Sequence, residues 1–424
     1  MGRSTGTADL PLHGGRVPPW LASRMAALGR IVVEALVHHY GRNEVLRRLA
    51  HPFWFQSLGA VMGMDWHSSG ITTSVLGALK RGLQPVAHEL GLYVCGGRGR
   101  QSRNTPQELE ALGERHQLDG ARLARTSRLV AKVDNNALQD GFQIYLHSFV
   151  LAIDGSWCVV QQGMDPASGT ARRYHWLSEG LRSFVEEPHR ALDGRAVGEI
   201  RNLTDARAAD NRSSQLALAR SGPDEVVDAL TRIEGGAPQL VMPGHHDVRP
   251  CDISKRRLYG TLRAAADFPL ETFDELLLVP GVGPRTVASL AMVAEVVHGA
   301  PSRFQDPARF SLAHGGKDGH PFPVPLAVFD TTIRVTRSAV ERAKLGNDDR
   351  LAALRALDRQ ARAIEARASD EEIALVDVAR IIDAERALSH RYGGRTVSGF
   401  ARRNTSARRA SVRASGQLSF PGLV

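Results

Sequence analysis

At 424 residues, with 42% hydrophobic and 23% charged side chains, the chain can hold two or three domains with cores and has the composition of a soluble globular protein. Its net charge of +9, carried largely by arginine, favours polyanionic partners. Three scattered cysteines (Cys95, Cys158, Cys251) exclude a zinc ribbon and a paired disulfide framework; with no apolar signal core and no stretch long enough to span a bilayer, a cytoplasmic protein without a membrane partner is expected.

A polar, Gly/Pro-rich arm opens the chain, and apolar spacing predicts helix from Trp20 to Leu49. HPFWF at 51–55 concentrates aromatics. DWHSSG at 65–70 concentrates polar groups ahead of a predicted helix at Thr72–Gly82, with Ser68 or Ser69 as its cap and Asp65 and His67 as contributors to a site. Leu92–Cys95 reads as a buried strand running into a flexible basic loop, Gly96–Arg103. In the predicted helix Gly120–Val133, Arg122, Arg125, Arg128 and Lys132 recur at steps of three, three and four. That spacing puts four cations on one face with no acidic residue among them, which suits a phosphate track.

KVDNNALQDG at 132–141 follows directly, and then a β-hairpin is expected from Phe142–Ile153, Asp154-Gly155 and Trp157–Gln161. Asp134, Asp140, His147, Gln161, Gln162 and His175 are expected to cluster around it. Asp134 and Asp140 are either turn formers or a carboxylate pair holding Mg²⁺ or Mn²⁺ beside a phosphodiester, with Lys132 as the transition-state cation. The strand that would carry the usual Glu-x-Lys element of such a nuclease offers Gln161 and Gln162.

A composition change at Ala206–Pro223 marks an expected linker, followed by a short helix at Pro223–Glu234 capped near Ser221. Adjacent His245 and His246 with Asp247 form an irregular segment, and Asp252–Asp267 is predicted helical. In LLLVPGVGPRTVASLA, 276–291, an apolar run breaks at Pro280-Gly281-Val282-Gly283 before a second helical pattern opens with Arg285-Thr286. Spaced glycines make a tight turn cheap, and the N–H groups there and in the following helical turn have no partner inside the helix. Together with the helix dipole they form a site for a phosphate oxygen, so Gly281, Gly283, Arg285 and Thr286 are the expected DNA-binding residues. Beyond lie an irregular insert at 303–325, further helices to about Ser389, and an arginine-rich tail.

Seven stretches, ADLPLHGG, HPFWFQSLG, DWHSSGITT, YVCGG, KVDNNALQDGFQ, VVQQGM and SLAHGGKDGHPFPVP, resemble a prokaryotic family known only as a domain of unknown function, which implies no activity. LVPGVGPRTVASL and VFDTTIRV, within 276–340, resemble the helix-hairpin-helix and aspartate segment of base-excision DNA glycosylases. That resemblance implies that Asp330 stabilises an oxocarbenium-like sugar and activates water. Arg285 stands where bifunctional members carry their Schiff-base lysine. The terminal run Gln417-Leu418-Ser419-Phe420 resembles the peptides that dock on the bacterial sliding clamp, which implies that clamp as a partner.

The expected architecture is α+β: a mixed domain at 1–215, a helical hairpin domain at 216–345, a helical extension at 346–392 and a basic tail at 393–424. The expected function is DNA processing of the repair or recombination kind, with metal-dependent hydrolysis of the backbone in the first domain. The alternatives are a glycosylase using Asp330 and a non-catalytic DNA-binding protein.

Overall fold

The computed structural model describes residues 19–62, 64, 70–165, 170–193, 199–235 and 253–308, with the single positions Arg334, Ser338 and Glu341. Asp65, His67, Cys251, the 245–247 segment, Asp330 and the clamp-like 417–420 run lie outside the described residues.

Helices α1 (Pro19–Tyr40), α2 (Arg42–Leu49), α3 (Pro52–Val61) and α4 (Gly70–Leu83) come first, followed by a single 3₁₀ turn and the one-turn α5 (Ala87–Leu90). The backbones of α1 and α4 approach so closely that a Cβ at Gly82 would strike the main chain of Ala26, which dictates a glycine there. Strand β1 (Leu92–Arg98) leads into α6 (Arg100–Arg103), α7 (Thr105–His116) and α8 (Gly120–Lys132). The flexible loop expected at Gly96–Arg103 is thus the end of β1, a turn at Gly99 and α6. The strand persists because Gly96 and Gly97 pair in register with Ser148 and His147.

A π-helical turn, Val133–Ala137, and the two-residue β2 (Leu138–Gln139) connect α8 to β3 (Gln143–Ala152), β4 (Trp157–Asp165), β5 (Thr170–Leu177) and β6 (Ala191–Asp193). The main sheet is antiparallel throughout, in the order β1-β3-β4-β5-β6; β2 pairs with β7 (Arg201–Asn202). The chain therefore mixes helices with an antiparallel sheet.

Alternation along the strands sends successive side chains to opposite faces. Val150, Cys158, Val160 and Leu177 enter one hydrophobic cluster with Leu36, Trp54, Phe55 and Val75 of the first four helices. Phe149, Val159, Tyr174 and Trp176 enter a second with Leu123 and Leu129 of α8. That second cluster continues without a break into α9 (Ala209–Ser221), α10 (Pro223–Glu234), α11 (Lys255–Ala266), α12 (Phe273–Leu278) and α13 (Pro284–His298).

Two expectations are corrected here. The linker at 206–223 is a 3₁₀ turn and α9, whose buried Asn211 donates to the carbonyls of Ala291 and Ala300 at 3.1 and 2.7 Å. A boundary at 215 falls inside α9, and the core is shared across it. Helix α10 begins from Gly222, while the Ser221 hydroxyl bonds back to Ala217 O at 3.1 Å. Among the described residues no helix is long and apolar enough to cross a membrane.

Candidate nucleic-acid interface

Helix α8 starts where the Asp119 carboxylate caps the Arg122 N–H at 2.8 Å. Its core face is Leu123, Ala124, Leu129 and Val130, so Arg122, Arg125 and Arg128 point outward. The stripe is real, but partners on other elements partly neutralise it. Arg125 lies 3.4 Å from Asp274 and 3.8 Å from Glu275 of α12, and Arg128 lies 3.3 Å from Glu110 of α7. These exposed pairs are worth little and are open to competition by phosphate. Lys132 is different. Its half-buried ammonium donates to Val282 O at 2.7 Å, and burial lowers its pKa.

That bond belongs to a set. Asn136 Nδ2 donates to the same Val282 carbonyl at 3.4 Å, and Gln139 Nε2 donates to Pro284 O at 2.8 Å. Gln139 is itself held by Arg201, whose guanidinium donates to Oε1 at 2.5 Å. The π turn and β2 therefore grip the carbonyls of the turn joining α12 to α13.

The turn departs from expectation at two of its four named residues. Gly281 has φ +88°, the region that an L side chain enters only at a cost. Gly283 has φ −132° and ψ −176°, extended backbone that any residue adopts, and a Cβ there would meet nothing within 4 Å. Only Gly281 is demanded by conformation. Val282 N–H closes the turn on Val279 O at 3.1 Å, and Val287 N–H bonds Gly283 O at 3.1 Å. Among the described residues the N–H groups of Gly281, Gly283 and Arg285 have no hydrogen-bond partner. Pro280, Gly281 and Arg285 are exposed, while Thr286 is buried against the core. The hydroxyl expected at the interface is thus withdrawn from it.

Helix α11 packs beside the turn, its Thr261 side chain facing Gly281. Its sequence, KRRLYGTLRAAA, contains no acid. Leu258, Leu262 and Ala265 face the core, leaving Arg256, Tyr259, Gly260 and Arg263 on the opposite, exposed face. Sequence reasoning noted a helix here but not this face. Its 3.6-residue spacing of cations around a tyrosine was the available signal.

Asp134 and Asp140 are buried and lie in separate networks. Asp134 accepts from Gln161 Nε2, from Trp176 Nε1 at 2.9 Å and from His189 Nε2 at 2.5 Å. Because the Gln161 amide nitrogen faces a carboxylate, its oxygen faces His147 Nδ1, at 2.7 Å. His147 therefore carries its proton on Nδ1 and accepts from Ser127 Oγ at 2.8 Å through Nε2. Ser127 and His147 have nucleophile–base geometry, but at 2% and 4% exposure no substrate reaches them. Burial also depresses the His147 pKa, keeping the ring neutral.

Asp140 accepts from Phe142 N–H at 3.1 Å, Arg172 at 2.8 Å and Tyr174 Oη at 2.7 Å. Arg172 reaches on to Asp306 at 2.6 Å, tying β5 to the segment after α13. Burial, opposed by Arg172, raises the Asp140 pKa to about 6. The cluster expected around the hairpin is also divided by the sheet. His147 and Gln161 lie on the α8 face, whereas Gln162 and His175 lie on the opposite one, where His175 Nδ1 donates to Leu49 O at 3.1 Å.

These carboxylates do not fit a metal pair. Their oxygens are already engaged by three donors each, and among the described residues no three His, Cys, Asp or Glu side chains converge. Nor does Lys132 fit a transition-state cation, since its ammonium is bonded to Val282 O. Arg172, Tyr174, Trp176, His189 and Asp306, which complete the two networks, were not foreseen. They lie beside His175 in the run Arg172-Arg173-Tyr174-His175-Trp176 or beyond it, and only strand pairing shows which side chains share a face.

No curated protein and no solved structure matches the chain. The family model described as "Protein of unknown function (DUF763)" matches residues 6–324 of the 424. The motifs whose side chains build the two networks, KVDNNALQDGFQ and VVQQGM, and the α12–α13 turn all lie inside that match, and the chain belongs to this family.

Proposed function

We propose that the protein binds DNA by its sugar–phosphate backbone, without reading sequence, through a helix-hairpin-helix formed by α12, the 279–283 turn and α13. The observation that carries this reading is the division of the turn's polar groups. The carbonyls of Val282 and of Pro284, the first residue of α13, accept from Lys132, Asn136 and Gln139, while the N–H groups of Gly281, Gly283 and Arg285 are unpartnered among the described residues. Carbonyls engaged by side chains and amides left unpartnered suit an anionic oxygen, reinforced by the N-terminal end of the α13 dipole. Arg285, the outward face of α11 and the α8 stripe surround it with positive charge. Supported in this way, the hairpin is pre-organised and binding does not have to order it.

The sheet domain then serves as a rigid cradle. Its two carboxylate networks position the π turn and β2, and these in turn hold the hairpin. This favours the DNA-binding reading over hydrolysis by Asp134 and Asp140.

The test is fluorescence anisotropy on random-sequence duplexes at several salt concentrations. Wild type should bind all sequences alike with affinity falling steeply with salt, and the exposed substitution Arg285→Glu should weaken every complex by the same factor. Strong sequence discrimination, or no binding at low salt, would overturn the reading.

A further inference from the structure

Beside the hairpin turn lies a cleft of about 240 Å³, its apolar wall made by Phe268, Leu270, Leu278 and Pro280 and its rim by Arg125 and Glu275. Phe268 is 47% exposed, one of the few large apolar side chains the fold leaves in water. It is held at the end of α11, where its N–H bonds Ala265 O at 3.1 Å and its carbonyl accepts from Leu270 N–H at 2.8 Å. Pro280, across the cleft, immediately precedes Gly281, so the apolar wall and the unpartnered amides are successive parts of one surface.

We propose that this cleft receives an unpaired nucleobase, stacked on Phe268, from the strand whose phosphate sits on the hairpin turn. The inference rests on the backbone-binding reading and adds a substrate class: DNA with a single-stranded gap or frayed end, preferred over intact duplex. Charge and shape select this occupant. Arg125 stands at the rim, paired with Asp274 and Glu275 in exposed contacts that a phosphate can compete for, and Arg285 lies beyond the turn. The wall is apolar and carries an aromatic ring, which suits the flat face of a base. At the rim, Glu275 is held by its Oε2 in the α12 capping box and its Oε1 stands 3.8 Å from Arg125, so Arg125 can donate and Oε1 can accept at the edge of that base. A paired base cannot enter without leaving its stack, so duplex would use the hairpin alone.

The test uses full-length protein and two labelled substrates of the same sequence, an intact duplex and one with a short single-stranded gap holding a fluorescent adenine analogue. The expected result is tighter binding to the gapped substrate, with quenching of the analogue as its ring stacks. Phe268→Ala should remove the quenching and lower gapped affinity by roughly tenfold, the loss of one base–aromatic stack, leaving duplex affinity unchanged. Phe268→Trp should retain both signals and Phe268→Leu, apolar but without a ring, should lose the quenching. Equal affinity for the two substrates, or quenching that survives Phe268→Ala, would overturn this inference while leaving backbone binding intact. Failure to bind either substrate would overturn both.

Discussion

Lys132 donates a hydrogen bond of 2.7 Å to the main-chain carbonyl of Val282, 150 residues further along the chain. A cation read from sequence as a phosphate contact is thus committed to the backbone of the α12–α13 turn. Lys132→Met should lower stability by about 1–3 kcal/mol, the range for removing a charged donor from a part-buried bond. Its effect on the salt dependence of DNA binding should be small, because the ammonium is not a phosphate contact. Arg122→Ala with Arg128→Ala should behave in the opposite way, with little change in stability and a log–log salt slope shallower by roughly 0.9 per lost contact. Urea unfolding and salt-titrated anisotropy on the same proteins decide it.

The two glycines of the turn should separate in the same assays. Gly281→Ala forces an alanine to φ +88° and should cost about 1 kcal/mol or more in urea unfolding, together with DNA affinity. Gly283→Ala, with extended backbone and open space around its Cβ, should be close to neutral in stability. Equal losses for the two would contradict the geometry of the turn.

Divalent metal provides a third check. With the Asp134 and Asp140 oxygens engaged by protein donors, Mg²⁺ and Mn²⁺ should leave Tm unchanged relative to EDTA. Asp134→Asn should destabilise by about 1–3 kcal/mol, since it sets an amide NH₂ against the donors Gln161, Trp176 and His189. A clear metal-dependent rise in Tm that Asp134→Asn abolishes would restore the metal pair.

Stability should fall as pH drops below the usual histidine value of 6.5. Burial holds the pKa of His147 below that value and that of His175 well below it, so the unfolded chain takes up protons that the folded one refuses. His51, lowered by burial to about 4, adds to them, and each such group contributes a slope of up to about 1.4 kcal/mol per pH unit. Asp140 opposes them. Its folded pKa is raised from 3.8 to about 6, so acidification through that window favours the folded state. Urea midpoints from pH 7 to pH 5 should therefore fall less steeply in His147→Gln and more steeply in Asp140→Asn.

Local pattern was legible wherever it depends on near neighbours. Strands β3 and β4 with their Asp154-Gly155 turn, helix α8, and helices α12 and α13 with a turn between them follow from spacing and turn chemistry and appear within a few residues of expectation. What could not be read was pairing across long separations. The acids that face Arg125 and Arg128 come from α12 and α7, and the partners of Asp134 come from β4, β5 and the segment beyond. The same limit hid the shared core that turns the expected linker into α9. A carboxylate in sequence is equally consistent with a metal, a turn or a buried network, and the difference lies in donors brought by other strands.

Whether the amides of Gly281, Gly283 and Arg285 receive a phosphate can be read from amide hydrogen exchange on the peptide covering 276–290. Exchange at these positions should be rapid in free protein, because they have no partner among the described residues, and clearly slowed on addition of a gapped duplex at low salt. Protection lost again at high salt would follow the phosphate contact. DNA that binds, by anisotropy, while exchange across this turn stays unaltered would show that the phosphate sits elsewhere.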